Sequence, residues 1–173
     1  MTWLSLALRN LVFTVVVPGA GGGYVPWLIL RRHGAQPAAS HPSRTVDWAG
    51  PAAWCAIAVI AVGVLLYLAC VWVFATAGRG TPGLWDSPRR VVTIGPYRWV
   101  RNPIYLAALL IVSGQAWLFF SVDLLIYAAA LGVAFHLFVT CYEERRLRAR
   151  FGEPYEAYRR TVHRWIPRPP RPS

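Results

Sequence analysis

Residues Ile104 to Tyr142 read IYLAALLIVSGQAWLFFSVDLLIYAAALGVAFHLFVTCY, an apolar run of 39 residues broken by one acid, Asp123. As a single straight helix this run would extend about 58 Å, nearly twice the roughly 30 Å hydrocarbon core of a bilayer. It is therefore expected to fold into a tight helical hairpin at Ser121, Val122 and Asp123, with arms Ile104–Phe120 and Leu124–Tyr142. Two further stretches qualify as spans. Pro51 to Thr76 is uncharged over 26 residues, and Leu11 to Leu30 is uncharged over 20. The latter is interrupted by Pro18, Gly19, Gly21, Gly22, Gly23 and Pro26, which predicts a kinked or partly unwound helix. The reading gives an all-α, polytopic membrane bundle of four transmembrane helices with a cytoplasmic amphipathic C-terminal tail.

Composition agrees. Of 173 residues, 56% are hydrophobic and 14% charged, against roughly 25% charged in soluble domains. A water-soluble core and shell is excluded, and the chain is too short to carry a separate soluble nucleotide-binding domain beside its spans. Any chemistry belongs at or inside the membrane. Residues 1–80 are read as N-terminal spans and an external loop, residues 81–173 as the catalytic half. The charge is lopsided: 18 Arg and no Lys against 7 acids, a formal +11. Fifteen of the 18 Arg fall on one side of a four-span bundle: Arg9, the loop between the second and third spans, and the tail after Tyr142. The positive-inside rule makes that side cytoplasmic, with both termini there. Absence of Lys suggests a GC-rich bacterial genome, hence a bacterial inner membrane. A signal peptide is the rival reading of the first run, disfavoured because apolar character resumes at Tyr24 to Leu30.

Other classes are weak. The Arg excess carries no basic stripe interleaved with aromatics on a soluble module, so nucleic acid is not expected; anionic lipid is the commoner partner of juxtamembrane Arg. Cys55, Cys70 and Cys141 lie in spans without C-x-x-C spacing and read as small buried hydrophobes, so no metal is expected. The Gly19–Gly23 cluster follows no strand and fails the context test of a phosphate loop.

The chemistry-bearing residues gather from Thr81 onward. Gly95-Pro96-Tyr97-Arg98-Trp99-Val100-Arg101-Asn102-Pro103-Ile104-Tyr105 leads into the hairpin. Pro103 suits a first helical turn and Asn102 its N-cap. Free backbone N–H groups there, with Arg98 and Arg101, would receive a carboxylate or phosphate. The same residues also read as lipid-facing Arg with a belt of Tyr97, Trp99 and Tyr105. At the far end of the hairpin, His136, Thr140 and Glu144 fall at i, i+4 and i+8, one helix face, with Glu143 beside them. Ionisable groups at a span edge usually face the bundle interior or a wet cavity. Glu143 and Glu144 lie at the depth of Arg101 to Tyr105; the bland alternative is a solvated run, Glu143-Glu144-Arg145-Arg146. After Phe151, Gly152 reads as a helix stop and Glu153-Pro154 as a restart. Tyr155, Tyr158 and Val162 then form a stripe, and Trp165-Ile166-Pro167 ends the helix. This tail is expected to fold back as a lid, the alternative being a peripheral lipid anchor.

The ordered set of Gly95 to Tyr105, Tyr142-Glu143-Glu144-Arg145-Arg146-Leu147, Phe151 to Tyr158 and Trp165-Ile166-Pro167 resembles the isoprenylcysteine carboxyl methyltransferase family, whose pattern bacterial relatives and the phospholipid N-methyltransferases share. The resemblance covers roughly Thr81 to Pro167. It implies a helical membrane enzyme that holds S-adenosylmethionine between the cytoplasmic ends of the last spans and the folded-back tail. The Arg-Asn-Pro-x-Tyr motif then puts Arg101, Asn102, Pro103 and Tyr105 at the cofactor, with Tyr97 just before them, and the glutamate pair puts Glu143 and Glu144 there. The family often carries His where this chain has Asn102. His136 joins the group on spacing.

Such an enzyme has mainly to align donor and acceptor and exclude water. Arg159 and Arg164 are candidates for orienting the acceptor, and Glu153 for an orienter or base. The expected activity is methylation of a carboxylate, or of another lipid-like or prenylated small-molecule acceptor. The alternatives are a phospholipid N-methyltransferase, a sterol-reductase-like oxidoreductase and a non-catalytic membrane subunit.

Overall fold

The structure, a computed structural model, describes residues 19–34, 50–78 and 91–169. Among the described residues every regular element is helical. Helix α1 is Val25–Gly34, α2 Pro51–Val73, α3 Pro103–Leu118, α4 Val122–Phe138, α5 Glu144–Phe151 and α6 Glu153–Thr161. The start of the first apolar run, the external loop at 35–49 and the turn-rich stretch at 79–90 lie outside the described residues.

Two helices are long and apolar enough to cross a bilayer: Pro51–Thr76, of 26 residues, and Val122–Phe151, of 30 residues. Helix α3 is apolar but has 16 residues, a rise of about 24 Å. Large apolar side chains face outward on α2 (Leu65, Leu68, Trp72) and α4 (Leu125, Ile126, Val133, Leu137), a surface suited to acyl chains rather than water. Exposed Trp54 and Trp72 on α2 lie 18 residues apart, about 27 Å along the axis and close to the spacing of two aromatic belts.

The hairpin is present. Helix α3 ends at Leu118, Phe120 takes the left-handed conformation (φ 48), and the Ser121 hydroxyl accepts from Leu124 N at 3.3 Å to cap α4. Tyr105 therefore meets Phe135 and Phe138, and Leu109 lies against Gly132, so α3 and α4 run antiparallel. Helix α2 packs most closely on α3, through small residues on both sides. A Cβ on Gly63 would come within 3.0 Å of Ala107 O and 2.9 Å of Ile111 Cγ1; one on Gly114 would come within 3.2 Å of Ala56 O and 2.6 Å of Ile60 Cγ1. In lipid, where no hydrophobic effect drives helices together, such close backbone approach supplies the attraction.

The glycine-rich part of the first run forms a wide π-helical turn, Ala20–Tyr24, that continues into α1. Two carbonyls of this turn accept hydrogen bonds from side chains of the bundle. Tyr127 Oη donates to Gly21 O at 2.9 Å and Gln115 Nε2 to Gly22 O at 2.7 Å. Three sequence readings are revised. Asn102 occupies the N-cap position of α3 without making the cap bond. Cys70 is buried as expected, but Cys55 and Cys141 are exposed on their helices. Helix α6 ends at Thr161, short of Trp165. The following backbone bonds elsewhere: Arg101 N donates to His163 O at 2.9 Å and Arg168 N to Trp99 O at 3.0 Å.

Candidate functional site

Four segments converge where α3 begins and α4 gives way to α5. The first is the loop before α3, anchored on α2: Tyr97 is buried with Cys70 and Val73, and its ring meets Phe74 edge-on. The second is the first turn of α3, where Tyr105 points to the α4 side. The third is a π-helical turn, Val139–Glu143, joining α4 to α5. The fourth is the tail. Gly152, at φ 57 and ψ −130, makes the corner between α5 and α6, a conformation in which a Cβ is strongly disfavoured. Tyr155 and Tyr158 bury the apolar stripe of α6, and Tyr158 Oη donates to Tyr97 O at 2.7 Å. Burial pushes the Tyr158 hydroxyl above its ordinary range, so it stays a neutral donor.

Glu144 is the centre of this arrangement. It is 4% exposed, and its carboxylate takes a forked pair of bonds from Arg164, Nε to Oε1 at 2.7 Å and Nη2 to Oε2 at 3.0 Å. Arg101 Nη1 lies 3.1 Å from Oε1, while Arg159 Nε and Arg148 Nη2 stand 3.9 Å from Oε2. Glu156 bridges Arg148 at 3.1 Å and Arg159 at 2.9 Å. Four guanidinium groups thus surround two carboxylates. The hydrogen bond to Glu144 raises the Arg164 pKa further, so this guanidinium stays charged. Arg101 Nε is buried without a hydrogen-bond partner, while Arg101 Nη1 and Arg159 Nε face Glu144 as ion-pair contacts without hydrogen-bond alignment. Charged donors left in that state suit an anionic oxygen.

Beside this cluster Tyr105 Oη donates to Glu143 Oε2 at 2.8 Å. Around Tyr105 stand Phe135, Phe138 and Trp165, with ring centroids 4.8, 6.5 and 6.5 Å away. Trp165 Nε1 also donates to His136 Nδ1 at 3.2 Å. Asn102 Nδ2 donates to Arg164 O at 3.1 Å, fastening the loop to the tail.

Tyr97, Arg101, Asn102, Pro103, Tyr105, His136, Glu143, Glu144 and Arg164 therefore share one end of the bundle, with Arg159 at its margin. Glu153 stands apart: its side chain is 73% exposed and pairs with Arg160. The shared face read for His136, Thr140 and Glu144 is broken, because the π turn between them carries an extra residue and rotates the register. His136 is consequently exposed and Glu144 buried, while the Thr140 hydroxyl donates back to His136 O at 2.7 Å. The contacts that sequence reading missed are those of Trp165, read as a helix end and part of the family motif but given no place at the site, and the Arg148–Glu156 pair. An aromatic residue directly before Ile-Pro in an otherwise basic tail was the available signal for Trp165.

S-adenosylmethionine presents a carboxylate, an ammonium group, ribose hydroxyls, a sulfonium and a flat purine. The Arg101 and Arg159 guanidiniums suit the first, Glu143 suits a cationic or hydroxyl group, and the rings around Tyr105 suit the purine. The residues fit such a group. A groove of about 420 Å³ on the other flank of α6, bordered by Thr93, Arg98 and Thr161, touches none of the glutamates.

The family model described as phospholipid methyltransferase matches residues 51–154, well over half of the chain. The match begins with α2 and ends in the first turn of α6, so it takes in the loop, the hairpin and both glutamates but not Arg159, Arg164 or Trp165. No curated protein matches the chain.

Proposed function

The chain belongs to the phospholipid methyltransferase family, and on that basis we propose that it is an integral membrane enzyme transferring a methyl group from S-adenosylmethionine to a lipid-like acceptor. The observation that carries this reading is the buried Glu144, gripped by Arg101 from the loop and Arg164 from the tail beside the Tyr105–Glu143 pair. The bound cofactor supplies a methyl group already activated by its sulfonium. What remains for the protein is binding, alignment and exclusion of water. Arg101 and Arg159 would orient a carboxylate through the positive charge they bring to Glu144. Glu143 would receive cationic or hydroxyl groups, and the tail would shield the reacting atoms. Arg164 is tied to Glu144, which assigns it to holding the tail closed; Glu153 has no part in this proposal.

In the membrane we propose four spans: the glycine-broken first run, α2, α3 and α4, with both termini on the cytoplasmic side of a bacterial inner membrane. The weight of Arg at the site end supports this orientation. The acceptor would enter laterally between lipid-facing helices.

Calorimetry of the purified protein in lipid nanodiscs tests the assignment. S-adenosylmethionine should bind, and Arg101→Ala and Glu143→Gln should each weaken binding about tenfold or more, the loss of a hydrogen bond to a charged group. A folded protein that does not bind it, or that binds NADPH instead, overturns the reading. Labelled methyl transferred to membrane lipids would then report the acceptor atom. Release as methanol by mild alkali marks a carboxylate ester, and retention marks nitrogen.

A further inference from the structure

Trp165 reaches the site from the tail. Its indole Nε1 lies 3.2 Å from His136 Nδ1, the two rings are 6.2 Å apart, and Tyr105 is 6.5 Å away on the route to Glu143. An indole N–H can only donate a hydrogen bond, so His136 Nδ1 must be unprotonated and accept it. A neutral imidazole whose Nδ1 accepts carries its proton on Nε2. An imidazolium, with N–H groups at both positions, could not make this contact.

We propose that Trp165 is a positioning residue that fixes the ring of the exposed His136 and selects its Nε2–H tautomer when the tail is docked, leaving Nε2–H as the outward hydrogen-bond donor. The contact also ties this state to closure: Trp165 sits on the segment whose backbone is bonded to Trp99 and Arg101, so His136 is locked only when the tail is docked. That the donor serves an oxygen of cofactor or acceptor rests on the methyltransferase reading; the tautomer does not.

The two parts are separable by experiment. Nitrogen-15 NMR of histidine-labelled protein in nanodiscs reads the tautomer directly, with the His136 signals identified among the four histidines by their loss in His136→Asn. The wild type should show Nε2–H, and Trp165→Phe should give a mixture of tautomers. Nδ1–H in the wild type, or an unchanged spectrum in a folded Trp165→Phe, overturns the proposal. The second arm compares His136→Asn, whose amide oxygen replaces Nδ1 as acceptor, with His136→Gln, whose amide N–H replaces Nε2–H as donor. Methyl transfer should fall about tenfold or more in the first and recover to within about threefold of wild type in the second. Equal impairment of the two, or of neither, overturns the donor role. Absence of methyl transfer in the wild type would instead sink the proposed function and leave the NMR result standing.

Discussion

A single carboxylate ties the site together. Glu144 meets Arg101 from the loop before α3 and Arg164 from the tail, so three segments distant in sequence depend on one buried negative charge. Removing one partner of a buried ion pair strands the others. Glu144→Ala should therefore destabilise the folded protein by about 3 kcal/mol or more, and expose the peptide bonds of residues 162–169 to limited proteolysis. Glu144→Gln keeps an oxygen acceptor for Arg164 and should cost less; equal protease resistance of wild type and Glu144→Ala would contradict the role given to this residue. The motif around Glu144 was legible in sequence, its partners less so. Arg101 and the glutamates stood out at similar depth, but Arg164 and Arg159 differed from the other tail arginines only by where the chain turns. That turn depends on Gly152 and on the end of α6 at Thr161.

Elements are fitted to one another by small residues. Gly63 and Gly114 let α2 and α3 approach until a Cβ on either would press on backbone of the other helix. Gly63→Leu or Gly114→Leu should each cost about 1–3 kcal/mol by overpacking, seen as a lower Tm of the purified protein. Gly23, where a Cβ would meet nothing within 4 Å, is the control: Gly23→Ala should leave Tm essentially unchanged. Gly152→Ala should cost about 1–3 kcal/mol for a different reason, the positive φ at the α5–α6 corner, and should loosen the tail without loosening the α2–α3 pair. The apolar runs and the Ser121 turn were readable from length and periodicity. The π turn at Val139–Glu143 was not, because an added residue within a helix leaves no mark in a 3.6-residue pattern.

At the scale of the whole molecule, the tail completes a site that the spans only begin. Removing residues 162–173 deletes Arg164, Trp165 and the backbone bonds to Trp99 and Arg101. The truncated protein should keep the helical circular dichroism of α2 to α4 but bind S-adenosylmethionine at least tenfold more weakly, the scale of losing one or more charge-assisted hydrogen bonds. Undiminished binding would place the cofactor elsewhere. Sequence by itself determined that the chain is helical and membrane-bound, that Ile104 to Tyr142 doubles back, and which end of the bundle carries the ionisable residues. Those properties follow from local hydrophobicity, chain length against bilayer thickness, and turn chemistry. Only the tertiary structure decided which arginines meet Glu144, that Glu143 pairs with Tyr105, and that Trp165 rather than a neighbour reaches His136. Such pairings depend on how a π turn, a left-handed glycine and an extended tail orient side chains far apart in sequence, and no local pattern records that orientation.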